Sequence, residues 1–401
     1  MNSLFMLKLR IKVAFMLETI NPFDELPEAL VEEMLESTKV IGNNLSDHFQ
    51  DISNKKNKLR EKLKEKDLLN ESDEISISPV YPTSCGIDGS YAIEKLVATD
   101  ISAAAAVAIE GLTPPGPEKR YWPSPRHFSH VGITKHSDKT SMMLRGITMN
   151  MELQLASNAP HNIVFLDGSL TTPFIYIHQA IKSLDEVPDL SNVFINGKEQ
   201  ENEDKLKFPG IKESFESYIK VLSSQRSDKI FVGTPKYSTE NKICELLGLS
   251  EHEDRGLLNF ILKKDEFVGP IPLNKKNFHL DSSLTQIIKL KDKVIEAIEN
   301  LHVIYYRPSN FFPVIRLEIS PSIASNKNRL AILFEALKIQ CITPSIMEPY
   351  PLYLADRMVK HLGKALPAIR KATAQEMSLR WEGNLGNMFF AMHGYRTEGR
   401  Y

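Results

Sequence analysis

The strongest constraint on the fold is a repeated change of hydrophobic period between residues 141 and 233. Residues 141–156 carry Leu144, Ile147, Met151 and Leu155 at the three- and four-residue steps of one helix face. Residues 162–166 form a short apolar run closed by Asp167-Gly168-Ser169, the pattern of a buried strand and its turn. Residues 171–184 and 213–224 return to helical spacing, and residues 229–233 (KIFVG) to a strand. Helices alternating with buried strands predict an α/β or α+β core.

The flanks differ. Residues 24 to about 70 read as one long helix, with Asp24 as a cap and Pro27 in the first turn. Leu30, Met34, Ile41, Leu45, Ile52, Leu59 and Leu63 give it an apolar stripe, and its second half (KKNKLREKLKEKD) is basic. That basic face is either solvated or turned towards DNA or a partner. Residues 70–78 read as a linker, so the expected division is an N-terminal extension with a basic amphipathic helix (1–78) and one large domain (79–401). Residues 1–16 are apolar, but Lys8, Arg10 and Lys12 interrupt any signal-like core, and Met16 is an alternative start.

Within 79–401, residues 96–109 are apolar and Ala-rich, which leaves strand and helix undecided. Residues 112–126 (LTPPGPEKRYWPSPR) must be loop or extended chain, and 190–208 read as a polar surface excursion. Residues 257–262 are apolar, 303–306 and 313–319 read as a hairpin-like pair, and 329–337 and 351–362 as helices. No solenoid repeat is visible. No run reaches the roughly 18 apolar residues of a membrane span. Three scattered cysteines, Cys85, Cys244 and Cys341, form no C-x-x-C pair and suit a reduced, cytoplasmic protein.

The sequence has no phosphate-binding G-x-x-x-x-G-K-[ST] loop, no G-x-G-x-x-G, no H-E-x-x-H and no G-x-S-x-G. Carboxylate chemistry remains. Asp-Gly-Ser occurs twice, at Asp88-Gly89-Ser90 and Asp167-Gly168-Ser169, each after an apolar segment. Each is either an ordinary turn, with Asp capping its own backbone, or a carboxylate delivered beside a glycine that lets substrate approach. Glu152, on the helix before the second motif, is a third candidate. Arg145 lies seven residues away near the same helix face, so a plain Arg-Glu surface arrangement is the alternative. Two or three such carboxylates suit a hard cation, Mg²⁺ or Mn²⁺. The formal net charge of −2 requires any polyanion to meet a local basic surface. Arg120, Trp122 and Arg126, with Lys119, Tyr121, His127 and Phe128, offer cations and aromatics for single-stranded DNA; the alternative is a loop packed by its own aromatics.

From residue 84 onwards the order of motifs resembles the NurA nucleases, partners of the HerA hexameric ATPase in DNA end processing. The elements are Asp88-Gly89-Ser90, Glu152 in MNMELQLA, LDGSL at Leu166–Leu170, Lys236 in IFVGTPKYS, DRGLLNFIL at 254–262, Tyr305-Tyr306-Arg307, Arg316-Leu317-Glu318 and EPYPLYLAD at 348–356. The last departs from the family: Glu348 stands where Tyr is frequent, and Asp356 where the family has His, with His361 a weaker substitute. The resemblance implies an RNase H-like mixed sheet flanked by helices. It further implies Asp88, Glu152, Asp167 and Asp356 as ligands of Mn²⁺ (or Mg²⁺), and Lys236 as a catalytic cation. The expected activity is single-strand cleavage and resection of duplex ends in repair or anti-phage defence. The expected partners are DNA, a HerA-like hexameric ATPase and a second copy in a homodimer. A catalytically weak DNA-binding or regulatory subunit of such an ATPase complex, and an RNase H-like phosphodiesterase acting on RNA, are the competing expectations.

Overall fold

The strand Ser84–Lys95 is where the alternation of helix and strand becomes architecture, because a helix packs closely on each of its faces. The computed structural model describes residues 23, 26–74, 81–113, 119–201, 205–273, 278–280 and 284–393. The reading of residues 1–16, the second half of the expected linker and residues 114–118 of the Pro-rich loop lie outside them.

In chain order the elements are α1 (Glu28–Glu65), β1 (Leu69–Glu71), β2 (Ser84–Lys95), β3 (Asp100–Glu110), β4 (Arg126–Thr134), α2 (Thr140–Asn158), β5 (Ile163–Asp167), α3 (Thr172–Ile181) and α4 (Pro188–Asn196). They continue with β6 (Lys198–Glu201), β7 (Lys207–Phe208), α5 (Ile211–Ser223), β8 (Ile230–Thr234), α6 (Lys242–Leu247), α7 (Asp254–Ile261), β9 (Glu266–Pro272) and α8 (Ile288–Glu299). The chain closes with β10 (His302–Tyr306), β11 (Ile315–Ile319), α9 (Pro321–Ala324), α10 (Lys327–Gln340), α11 (Tyr350–Arg380) and α12 (Leu385–Ala391).

The chain divides into two units at Leu59/Arg60. In the first, the apolar positions Leu30, Met34, Ile41 and Leu45 of α1 stand exposed. The second unit begins earlier than the expected boundary at residue 79. Asn70 and Glu71, expected as linker, pair with β9 instead as part of β1, and Arg60 donates to both carboxylate oxygens of Glu266 at 2.6 Å.

The second unit is built on a nine-stranded mixed sheet in the order β1-β9-β10-β11-β8-β5-β2-β3-β4. β5 runs parallel to β2 and β8, and the remaining named pairs of this sheet are antiparallel. The Ala-rich stretch is β3, not helix. Its side chains alternate between faces: Ile101 and Ala103 pack with Leu366, and Val107 and Ile109 with Ala355 and Val359, all four facing α11. The small side chains between them leave room for α2 on the other face. The expected hairpin is present as β10 and β11 in antiparallel register. The polar 190–208 segment holds α4 and a separate β6–β7 ribbon. β4 and β9 were not legible: β4 follows a Pro-rich run, and Gly269 and Pro270 interrupt the pattern of β9.

All three cysteines are free and buried. No described helix is long and apolar enough to cross a membrane.

The backbone of α11 presses on β2 at Gly86, where a Cβ would lie 2.3 Å from the Leu352 nitrogen. Neither backbone can yield like a flexible side chain. Gly86→Ala is therefore expected to cost about 1–3 kcal/mol, the range for overpacking, measured as a lowered urea midpoint at unchanged slope.

Candidate metal centre

The two Asp-Gly-Ser motifs fold differently. Asp167 does end its strand, and Gly168 then takes φ +78°, a left-handed turn that glycine adopts freely. Asp88-Gly89-Ser90 is not a turn: it lies inside β2, paired with Val107, Ala106 and Ala105 of β3. β2 has different neighbours on its two edges. Its parallel pairing with β5 stops at Ile87↔Leu166, so Asp88 is the first residue beyond that ladder and stands beside Asp167. Each Asp accepts a hydrogen bond from the following glycine N–H, at 2.8 and 3.0 Å.

Asp356 comes from α11, on the face of the sheet shared by Asp88 and Val107. One carboxylate oxygen each from Asp88, Asp167 and Asp356 lies within 4.8 Å of the other two. Glu152 arrives from α2, on the opposite face, through the space left by the missing side chain of Gly89. A Cβ at Gly89 would stand 2.4 Å from Glu152 Oε1. Glu152 is only 5% exposed, and none of the described residues donates a hydrogen bond to it. Arg145 does not pair with it.

Three further residues, Lys236, Lys360 and Glu348, complete the cluster. Lys236 Nζ lies 3.3 Å from Asp167, 3.1 Å from Glu348 and 3.6 Å from Asp356. Lys360 Nζ donates to Asp356 Oδ2 at 2.6 Å, one turn along α11. Glu348 was noted in the sequence only as a departure, and its carboxylate proves to be part of the site. Its position at the head of the EPYPLYLAD stretch was the available signal. His361 is exposed on α11.

The supporting frame is itself buried. Glu318, fully buried, accepts from the Leu170 N–H at 2.8 Å and the Ser169 hydroxyl at 2.7 Å, and is held by Arg316 at 2.8 Å. This pins the turn after Asp167. Arg255 donates to the Lys236 carbonyl and Arg316 to the Ser238 hydroxyl, which ties down the segment bearing Lys236.

The expected nucleic-acid loop is placed elsewhere. Trp122 is buried, its ring 4.5 Å from that of His161, at the end of β5 opposite Asp167. Arg120 donates to the Gly111 carbonyl and lies 3.7 Å from buried Glu110. Arg126 opens β4. The aromatic ring is core, so Trp122 offers no face for a base to stack on.

The carboxylates burden one another. Burial, then the charge of Asp167, pushes Asp88 up to about 7. Burial, then Asp88 and Asp167, drives Glu152 well above the ordinary range. Burial also raises Glu348, against the pull of Lys236. For Lys236, burial lowers the pKa, but Asp167, Glu348 and Asp356 outweigh it and the net shift is upward.

This arrangement fits a divalent cation. The donors are all hard oxygens, they converge from separate elements, and Glu152 is a deeply buried carboxylate with no donor of its own.

No protein-family model and no curated protein matches the chain. Among solved structures it is similar to the NurA nuclease from Sulfolobus solfataricus, with TM-score 0.56 and 16% identity over 89% of this chain and 99% of that one. It is also similar, at TM-score 0.49 and 13% identity over 88% of this chain and 99% of the other, to a NurA solved with manganese. A NurA bound to dAMP and manganese has TM-score 0.47, at the same identity and coverage. The chain thus has a NurA-like fold, a large mixed sheet flanked by helices.

A carboxylate whose folded pKa exceeds its unfolded value destabilises the fold as it ionises. Asp88, ordinarily 3.8 and here about 7, therefore makes metal-free protein lose stability as pH rises from about 4 to about 7. Asp88→Asn is expected to flatten that decline and to raise the chelator-treated melting temperature at pH 8 by about 2–5 °C. A scanning thermal-unfolding series over pH reads both effects.

Proposed function

We propose that the protein is a metal-dependent DNA nuclease of the NurA type, with an RNase H-like core. The observation that carries the reading is the convergence of Asp88, Asp167 and Asp356 within 4.8 Å, with Glu152 buried behind them. Asp88, Glu152, Asp167 and Asp356 would hold Mn²⁺ or Mg²⁺, and Glu348 stands beside them across Lys236. Such a cation, when bound, supplies Lewis acidity towards a phosphodiester and lowers the pKa of water.

The chain's own residues set the rest. Gly168 keeps the turn after Asp167 clear of a side chain, so a phosphate can approach there, while the missing side chain of Gly89 admits the Glu152 carboxylate. Lys236 is held beside the cluster as an ammonium, aimed where negative charge grows on phosphate oxygens. Glu348 draws that ammonium back, and Glu318 fixes the turn that orients Asp167.

The resemblance in motif order, together with the fold, supports single-strand cleavage and end resection as the activity. It also supports a homodimer working with a HerA-like hexameric ATPase, in repair or anti-phage defence. The absence of a phosphate-binding loop from the sequence suits a nuclease that takes its motor from a partner. One observation favours a second reading, a catalytically weak DNA-binding subunit of such a complex. Asp356, in place of the family His, is engaged by both Lys236 and Lys360.

The test is end-labelled single-stranded and duplex DNA incubated with the protein, in Mn²⁺ or chelator, with and without the ATPase. Metal-dependent cleavage is expected, and Glu152→Gln or Asp167→Asn should reduce it by at least about 100-fold (on the order of 3 kcal/mol in barrier) without lowering the melting temperature. Mn²⁺ binding without cleavage under every condition would select the second reading.

A further inference from the structure

Outside the carboxylate cluster, Arg145 is held by two aromatic side chains with no counter-charge among the described residues. Arg145, in α2, sits between two tyrosine rings, its guanidinium carbon 5.5 Å from the Tyr91 centroid and 5.3 Å from that of Tyr176. Its Nε donates to the Tyr91 hydroxyl at 3.1 Å. No described acidic residue pairs with it, and its two terminal nitrogens donate to no described residue. A guanidinium has five donor hydrogens, so four are left for a ligand. All three side chains are partly exposed, so the cation is open to solvent.

The position is informative. Arg145 and Glu152 are seven residues apart on α2, so they lie on nearly the same helix face, about 10 Å apart along the axis at about 1.5 Å per residue. Tyr91 stands three residues after Asp88 in β2. It shares with Gly89 the face of the sheet that meets α2. Tyr176 belongs to α3, the helix that follows the Asp167 turn. β2 and α2, which deliver Asp88 and Glu152, therefore also build this aromatic clamp, and α3, which follows the Asp167 turn, supplies its second ring.

We propose that Arg145 is a subsite for a backbone phosphate of single-stranded DNA, next to the phosphate at the carboxylate cluster, with Tyr91 and Tyr176 holding the guanidinium in its binding orientation. Contacts with two rings and one hydrogen bond remove much of the rotamer freedom that an arginine loses on binding. The planar fork then meets a phosphate with its terminal N–H groups. A phosphate seated there sets the register of the strand along the cluster, which makes Arg145 a positioning residue and not a catalytic one. The role rests on the nuclease reading and deepens it.

Binding of a fluorescent oligothymidylate, with metal chelated so that no strand is cut, is measured across a salt series. A role confined to packing would not move the salt dependence. Loss of one phosphate contact lowers the slope of log affinity against log salt by about 0.7 for a single strand. Arg145→Gln is expected to show that loss and a drop in affinity of about tenfold, the size of one charge-assisted hydrogen bond. Arg145→Lys keeps the charge and should keep the slope while still binding more weakly. If Arg145→Gln fails to fold, Tyr91→Phe decides: freeing Nε should weaken binding at an unchanged slope, and wild-type affinity would overturn the proposal. An Arg145→Gln slope equal to that of wild type overturns the subsite and leaves the nuclease reading standing. Wild-type protein that binds no oligothymidylate overturns both.

Discussion

Strand β2 is squeezed from both faces, and the site depends on that squeeze. At Gly86 the backbone of α11 comes so near that no side chain fits, and at Gly89 the carboxylate of Glu152 occupies the space a Cβ would take. The first contact brings Asp356 over the sheet. The second lets Glu152, from the opposite face, come up against the strand beside Asp88. Alanines in β3 extend this closeness sideways, since larger side chains would lift either helix away. The register of β2 against β5, ending at Ile87↔Leu166, then places Asp88 beside Asp167 without any turn.

Gathering these acids has an electrostatic cost. Two full charges 4.8 Å apart repel by about 3–4 kcal/mol at an effective dielectric constant of about 20. The fold offsets part of this with Lys236, which touches three of the acids, and with Lys360 at Asp356. The deepest carboxylate, Glu152, has neither lysine, and its response is to resist ionisation. Internal cations on one side and an unpartnered carboxylate on the other leave a gap in charge of the kind a divalent ion would close. Buried acids kept for function at the expense of stability are a general pattern.

Much of this was legible in the sequence, for physical reasons that differ by residue. Asp167 could be placed at a strand end because a continuous apolar run closes there on Asp-Gly-Ser, although the motif alone left an ordinary turn open. Asp88 was found by the same motif for a partly wrong reason: the glycine there serves a close approach inside a strand, and not a turn. Glu152 depended on the resemblance, since a glutamate on a helix looks the same whether it faces solvent or a buried site. Lys360 was hidden because its place in the cluster depends on how α11 docks, which no local pattern encodes, whereas Glu348 stood at the head of EPYPLYLAD but only the fold shows it against Lys236. Trp122 went the other way: an aromatic in a Pro-rich, basic stretch resembles a stacking platform until His161, far along the chain, is seen to cover it. The Ala-rich β3 was ambiguous because its small residues answer to two helices, and its own period says nothing of them.

The departures from the family pattern sharpen what the chain can bind. With Asp at 356 and Glu at 348, every candidate ligand is a carboxylate oxygen, a donor set suited to hard cations. The direct test of the central claim is anomalous diffraction from crystals soaked in Mn²⁺. The account predicts a manganese peak bounded by Asp88, Glu152, Asp167 and Asp356, with the Lys236 ammonium displaced from its present position among Asp167, Glu348 and Asp356. No peak there at saturating Mn²⁺, with the Lys236 contacts unchanged, would contradict it.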